Sequence, residues 1–177
     1  MLRVDAQRNL DRLKAAALEV FRERGLNSPL EEIAKRAGVS VGTLYNRFGS
    51  RDALIDAVIP ELTRANVERI RDAAYAVDEP WERVERYFDG LLAMQIADPA
   101  LSEAVARAHP GSPELAAACA SALDEGERLL EAVGVERGAE LVGSVLMANG
   151  ALVAQGGADA ARRLLAVFLN GLRPATA

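Results

Sequence analysis

Apolar side chains recur at every third or fourth position along nearly all of this 177-residue chain. That spacing places them on one face of an α-helix, whereas a half-buried strand would alternate apolar and polar residues. The chain contains neither a sustained alternation nor a stretch enriched in β-branched residues. The pattern therefore predicts an all-α fold.

Helix-breaking residues divide the first part of the pattern. The first helix is predicted over residues 9–24, and Gly25 ends it. Ser28 is expected to cap a second helix, with Pro29 at the first helical position and Glu31 completing a capping box. This second helix is short because Gly38 follows soon after.

A third helix is predicted over residues 41–47, with Ser40 as its N-cap. Gly49 and Ser50 then interrupt the chain, and a fourth helix starts at Arg51. We expect the first domain, an N-terminal three-helix head, to occupy residues 1–58.

The rest of the chain, residues 59–177, is expected to form a larger C-terminal helical domain. Pro80 marks the start of the first helix after a chain break, and about nine helices are expected in total. The remaining predicted helices cover residues 99–109, 114–133, 136–155 and 158–172.

Residues 30–48 have the pattern of a helix-turn-helix, two short helices joined by a tight turn at Gly38. Six residues are expected to supply the buried contacts: Ile33, Ala34, Ala37, Val39, Leu44 and Phe48. The outward residues of the third helix are small or hydrogen-bonding, the groups that DNA phosphates and base edges require. The alternative is a buried three-helix unit used for protein contact.

Charge is distributed unevenly along the chain. Residues 1–51 contain ten Lys and Arg against six Asp and Glu, a net charge of +4. Residues 52–177 contain eleven against twenty, a net charge of −9. A basic head on an acidic body suits a DNA-binding protein, although a solvated basic face would have the same composition.

The sequence of residues 33–48, followed by Ser50-Arg51-Asp52-Ala53-Leu54, resembles the DNA-binding head of the TetR family. The family pattern is close to I-A-x-x-A-G-V-S-x-G-T-L-Y-x-x-F. The resemblance covers about residues 10–58. It implies a homodimer that binds a palindromic operator in double-stranded DNA and is released by an unknown small-molecule effector. It also implies that the C-terminal domain, residues 59–177, is the effector-binding and dimerisation domain.

Two positions depart from the family pattern. Pro29 has no amide hydrogen to offer a phosphate, where relatives tend to have adjacent Thr or Ser. Arg47 replaces a common His, so a phosphate contact there would be assisted by charge.

Within the head, Thr43 and Tyr45 are predicted to contact phosphates, while Val41, Gly42 and Asn46 approach bases. The complete predicted DNA-contacting set is Ser28, Ser40, Val41, Gly42, Thr43, Tyr45, Asn46, Arg47 and Arg51. Two alternatives stay open: Tyr45 could pack on the first helix, and Arg51 could pair with Asp52 or Glu31.

The last two predicted helices have faces suited to a dimer interface, one nearly free of side chains and one apolar. The predicted interface residues are Gly143, Met147, Gly150, Ala154, Leu165, Phe168 and Leu172. These faces could instead fill the core of one protomer.

An effector pocket would combine polar groups with apolar helix faces. The candidates are Phe88, Leu91, Gln95, His109 and Asn149. Gln95 and Asn149 could instead be satisfied by the backbone or the dimer partner, and His109 could simply end a helix.

Composition argues against other classes of protein. One cysteine, Cys119, and one histidine exclude an intramolecular disulfide and a Cys/His metal cluster, and no cofactor is expected. The absence of a Gly-rich phosphate loop after a strand further disfavours an enzyme. With no apolar run of membrane-spanning length and no signal-peptide core, we expect a cytoplasmic protein. A helical DNA binder without an effector is the main alternative.

Overall fold

The protein is mainly helical in the residues that its computed structural model describes, which are 2–98, 102, 112–135 and 138–173. No strand occurs among them, so the predicted all-α fold is confirmed. These residues form α1 Leu2–Arg24, α2 Leu30–Ala37, α3 Val41–Phe48, α4 Arg51–Tyr75, α5 Pro80–Ala97, α6 Pro113–Glu131, α7 Gly138–Ala154 and α8 Ala158–Leu172. None of these helices is both long and apolar enough to cross a membrane.

The predicted helix ends agree with the structure except at a few positions. α1 begins at Leu2, well before the predicted residue 9. The last helix has the predicted bounds of residues 158–172. The short helix predicted over residues 99–109 lies, apart from Ser102, outside the described residues.

The chain divides into two compact units, Met1–Leu62 and Thr63–Ala177, which we name the head unit and the body unit. Helix α4 contributes residues to both, since it runs from Arg51 to Tyr75. The core of the head unit contains buried apolar side chains from α1, α2, α3 and the start of α4. They include Leu13, Ala17, Phe21, Ile33, Ala37, Leu44, Leu54 and Val58.

The core of the body unit is built around two aromatic residues of α5. The rings of Tyr87 and Phe88 are fully buried and meet edge to face, with centroids 5.9 Å apart. The Tyr87 hydroxyl donates a hydrogen bond to the Ala122 carbonyl oxygen at 2.9 Å, so its polar end is satisfied inside the core. Burial raises the pKa of Tyr87, which therefore stays protonated as a donor.

Helices α4 and α5 approach closely at Gly90 of the body unit. A Cβ atom built at Gly90 would lie 2.7 Å from Cγ2 of Ile70, closer than carbon atoms pack. Ile70 is β-branched and buried, so it has few alternative rotamers. Glycine is therefore required here by the approach of a neighbouring helix.

Substituting Gly90→Ala should lower the free energy of unfolding. Overpacking costs about 1 to 3 kcal/mol, and the better helix propensity of alanine offsets only up to about 1 kcal/mol of that cost. Urea denaturation followed by circular dichroism measures the effect. In an Ile70→Ala background the same substitution should be neutral or stabilising, and an equal penalty in both backgrounds would contradict this contact.

Candidate DNA-binding surface

The turn between α2 and α3 depends on Gly38. This residue has φ of +70° in the left-handed region, and its amide bonds to the carbonyl oxygens of Ala34 and Lys35. The next amide, that of Val39, reaches back to Ala34 O at 3.0 Å, which satisfies the end of α2 in the manner of a Schellman motif. The chain can therefore reverse within three residues and begin α3.

Helix α3 begins with the predicted cap. The Ser40 side chain accepts a hydrogen bond from the Thr43 amide at 3.1 Å. The hydroxyl groups of the same two residues also lie 2.8 Å apart. Ser40 is thus confirmed as the N-cap, and its side chain fixes the position of Thr43.

The residues of α3 that face outward are those expected from the sequence. Leu44 is fully buried, whereas Val41 is half-buried. Five residues are exposed: Gly42, Thr43, Tyr45, Asn46 and Arg47. One side of α3 is therefore buried through Leu44, and the other side exposes glycine and polar residues.

The polar groups at the centre of this surface are not used within the protein. Among the described residues, the side chains of Tyr45, Asn46 and Arg47 form no hydrogen bond or ion pair. Tyr45 is 47% exposed, so it is not packed into the head core. A phenol, an amide and a guanidinium thus project together from one short helix.

Gly42 is not required by the fold. A Cβ atom built there would have one neighbour, Oγ of Ser40 at 3.7 Å, which is an ordinary contact. Gly42 lies in regular helix, where glycine is less favourable than alanine. A glycine that neither the backbone nor the packing demands is consistent with close approach by a molecule outside the chain.

Several basic residues of the head are bound in ion pairs instead of facing outward from α3. Arg36 of α2 donates two hydrogen bonds to the carboxylate of Glu23 in α1, at 2.6 and 2.8 Å. This hydrogen bonding lowers the pKa of Glu23. Arg24 lies 2.9 Å from Glu32, so a second pair joins the same two helices. Two of the ten basic side chains of residues 1–51 are therefore used in contacts within the head unit.

The structure corrects two expectations near the start of α2. The capping box is wrong, because Pro29 is the N-cap and no side chain caps the helix. Ser28 is only 3% exposed, and its hydroxyl donates to the Gly25 carbonyl oxygen at 2.6 Å, so its side chain does not face solvent. Its hydroxyl stabilises the turn that precedes α2.

Arg51 lies at the start of α4, and its guanidinium is occupied within the head unit. It donates hydrogen bonds to the carbonyl oxygens of Leu26, at 2.9 Å, and Ser28. These partners differ from DNA and from the alternatives Asp52 and Glu31. Arg51 therefore ties α4 to the turn between α1 and α2, a role that sequence spacing does not reveal.

The effector candidates that the structure describes are buried in the body unit. Phe88, Leu91, Gln95 and Asn149 are at most 6% exposed. The Gln95 amide nitrogen donates to the Leu146 carbonyl oxygen at 3.0 Å, but its Oε1 and both polar atoms of Asn149 have no partner. His109 lies outside the described residues.

The dimer candidates do not form one exposed surface. Met147 is 68% exposed and Ala154 is also exposed, but Gly150 is buried, with the Gln95 amide nitrogen 3.4 Å from where its Cβ would be. Leu165 is buried as well, and the Phe168 ring packs on Phe88 with centroids 5.8 Å apart. Gly143 and Leu172 are half-buried. The prediction for Gly150 and Leu165 is therefore wrong, because a helical wheel groups residues by angle but does not show which neighbours their own chain provides.

Comparison with known proteins gives a family for this surface. Residues 13–58 match the family model described as bacterial regulatory proteins, tetR family. The match begins within α1, ends within α4 and contains the whole of α2 and α3. It thus covers the exposed polar face of α3.

Curated relatives of the chain are named as HTH-type transcriptional regulators. YvdT of Bacillus subtilis is 30% identical over 45% of this chain and 41% of its own length. UidR of Escherichia coli is 36% identical over 40% of this chain and 37% of its own. The chain therefore spans about two fifths of the length of these curated relatives.

A solved structure matches over nearly the entire length. The TetR transcriptional regulator SCO0520 from Streptomyces coelicolor is 31% identical, with a TM-score of 0.58. The match covers 94% of this chain and 99% of that one. The resemblance therefore extends beyond the head unit.

Replacing Arg51 should destabilise the head even when the charge is kept. Arg51→Gln should lower the free energy of unfolding by about 1.5 to 3 kcal/mol, the usual contribution of a hydrogen bond to a charged group. Arg51→Lys should also destabilise, because Nη1 bonds both carbonyl oxygens and the ammonium of the shorter lysine side chain ends one bond short of that position. Urea denaturation is the measurement, with Arg47→Gln, a partner-free arginine of the same unit, as the control. Unchanged stability in Arg51→Lys would refute the role as a tie.

Proposed function

The chain belongs to the TetR family of bacterial regulatory proteins, and we propose that it is a ligand-responsive transcriptional repressor. In this proposal a homodimer binds a palindromic operator through α3, and a small molecule releases it. The observation that carries the proposal is the exposed face of α3, on which the side chains of Tyr45, Asn46 and Arg47 have no partner among the described residues. These exposed groups can hydrogen-bond to water in the free protein. They include donors of the kinds that bind phosphates and base edges of DNA.

Phosphate contacts are assigned to Thr43, Tyr45 and Arg47. A guanidinium offers charge and two parallel donors to a phosphate, and a phenol adds a neutral donor. Val41, Gly42 and Asn46 are assigned to the floor of the major groove, where an amide can pair with adenine and a glycine permits close approach. Ser40 contributes by holding Thr43 in place.

Ser28 and Arg51 are removed from the side-chain contacts to DNA. Both are engaged with backbone carbonyl groups of the head unit. Their proposed contribution is to position α2, against which α3 packs.

The dimer is proposed to form through exposed apolar residues of α7 and α8. Met147 and Val167 are 68% and 70% exposed, which is unusual for large apolar side chains on two neighbouring helices. A two-fold interface would cover the same patch on both copies. It would also hold two α3 helices about 34 to 36 Å apart, the spacing of successive major grooves on one side of DNA.

The effector is proposed to act through the body unit. Gln95 and Asn149 together leave three buried polar atoms without partners, and such atoms generally bind water or a ligand. This observation favours a ligand-responsive protein over a constitutive DNA binder.

Two substitutions in α3 should separate charge from shape in DNA binding. Arg47→Gln should weaken binding to all sequences and lower the slope of log affinity against log salt by about one, since one phosphate contact loses its charge. Gly42→Ala should leave that slope unchanged while weakening affinity for the preferred site by about tenfold, because the added methyl group overpacks the groove. Fluorescence anisotropy on a duplex selected from a random pool measures both.

Folding and location provide the controls for this experiment. Both variants should unfold at least as late as the parent chain, because neither side chain has a structural contact. Arg69→Gln, on the body part of α4, should change neither affinity nor slope. A selected sequence without two-fold symmetry, or a Gly42→Ala variant with full affinity for it, would count against the proposed reading of DNA.

Val167→Arg should dissociate the dimer and leave each protomer folded. Val167 is exposed, so the substitution removes nothing from the protomer core, but a two-fold interface would bring two added charges together. Sedimentation velocity should show a monomer with unchanged helical content. Ala73→Arg adds the same charge to an exposed position of α4 and should remain dimeric. A dimeric Val167→Arg variant would place the interface elsewhere.

A further inference from the structure

A surface groove lies between α4 and α6 in the body unit, and none of the proposed DNA, dimer or effector residues lines it. Its cavity has a volume of about 230 Å³. Arg64, Val67 and Arg71 lie along the α4 wall, and Ala118 and Ser121 lie along the α6 wall. Small side chains on α6 leave the space open opposite the two arginines.

The spacing of the arginines places both on the side of α4 that lines the groove. Arg64 and Arg71 are seven residues apart, which is two helical turns, so both project from the same face of α4. Both are exposed. Arg64 forms no ion pair with any described residue, and Arg71 contacts only the carboxylate of its exposed neighbour Asp72, at 3.1 Å. Such an exposed pair is weak, so Arg71 can exchange it for a ligand.

The charge of the groove is opposite to that of its surroundings. The lining contains three arginines and two glutamates, a net charge of +1. Residues 52–177 together carry −9. The groove is therefore a local positive site on an acidic body, which favours an anion there over the remaining surface.

The floor of the groove is already neutralised and held in place. Glu125 is 5% exposed, and it accepts a hydrogen bond from the Tyr75 hydroxyl at 2.7 Å. Arg128 pairs with its other oxygen at 3.2 Å, and Arg83 stacks 4.9 Å from the centre of the Tyr75 ring. The hydrogen bond to Glu125 raises the pKa of Tyr75, which keeps the phenol protonated. Because the Arg128 guanidinium pairs with this carboxylate, its negative charge is partly offset and repels an anion less.

We propose that this groove binds a small organic anion, whose carboxylate or phosphate group contacts Arg64 and Arg71. Guanidinium groups bind either anion through parallel hydrogen bonds, and Ser121 offers a further hydroxyl donor. Val67 and Ala118 supply an apolar wall for the rest of the molecule. The groove is separate from the buried atoms of Gln95 and Asn149, so the inference adds a second ligand site to the body unit, and it rests on the proposed function only for the step from binding to regulation.

Isothermal titration calorimetry at constant ionic strength tests the binding. The probes are phenyl phosphate, benzoate, benzyl alcohol and benzylamine, which share an aromatic ring and differ in charge. Phenyl phosphate and benzoate should bind, and their relative affinities distinguish a phosphate from a carboxylate ligand. The neutral and cationic probes should not bind. Failure of both anions at millimolar concentration, or equal binding of the alcohol, would overturn the proposal.

Two matched variants assign the binding to the groove. Arg64→Gln combined with Arg71→Gln keeps hydrogen-bonding side chains but removes both charges, and it should reduce anion affinity by at least about tenfold. Arg69→Gln removes one charge from the same helix outside the groove lining and should have no effect. Full affinity in the double variant, or an equal loss in Arg69→Gln, would overturn the assignment. Circular dichroism confirms that both variants are folded.

The regulatory step is measured separately. Anisotropy of the selected DNA duplex with and without the tighter-binding anion should show weaker DNA binding in its presence, and the double variant should abolish this effect. Anion binding without any change in DNA affinity would overturn the effector role, but the groove would still be an anion-binding site. A chain that fails to bind DNA in the absence of anion would instead refute the proposed function.

Discussion

Burial of Leu44 is the interaction on which the DNA-binding surface depends. Helices α2 and α3 have eight residues each, and helices of that length do not persist alone in water. Leu44 is fully buried, whereas the other residues of α3 are half-buried or exposed. One leucine, with the Ser40 cap and the turn at Gly38, thus holds the helix. The other side of α3 is consequently free to carry residues chosen for what they contact outside the protein.

Four basic side chains of the head unit make contacts within it. Arg24 and Arg36 join α2 to α1, Lys14 pairs with Glu61, and Arg51 binds backbone carbonyl groups. Exposed pairs of this kind contribute little each, but they orient the helix against which α3 packs. Few basic groups then remain beside α3, and Arg47 is the one on α3 itself. A single head of modest charge makes few phosphate contacts. The proposed dimer would raise the affinity for DNA by placing two heads on one site.

The sequence predicts the helices well because their ends are marked locally. Gly25, Gly38 and Ser40 act through their own backbone or a neighbouring amide, and the structure confirms each of them. The polar face of α3 is equally predictable, since the buried face follows from periodicity alone. Periodicity does not show which group each side chain contacts in the folded chain. Ser28 has the right residue type for a cap, but its hydroxyl donates to the Gly25 carbonyl oxygen because the helix starts later.

The same limit explains the errors in the body unit. Gly150 lies on the wheel beside exposed Met147, yet it is buried because Gln95 of α5 reaches across to the α7 backbone. The groove between α4 and α6 is equally hidden in the sequence, since its arginines are ordinary surface residues until two helices are placed side by side. The sequence also does not show that Tyr75 donates a hydrogen bond to Glu125 and that Arg128 pairs with the same carboxylate.

Helix α4 contains residues of both the head unit and the groove. It begins at Arg51, which binds the turn before α2, and it continues to Arg64 and Arg71 in the groove. Pro60 lies between them, inside the helix, where it cannot donate the usual backbone hydrogen bond. If the proposed anion changes DNA affinity, linkage requires DNA to change the affinity for the anion by the same factor. The helix that completes the core of the head is therefore the element through which an anion in the body would be expected to act.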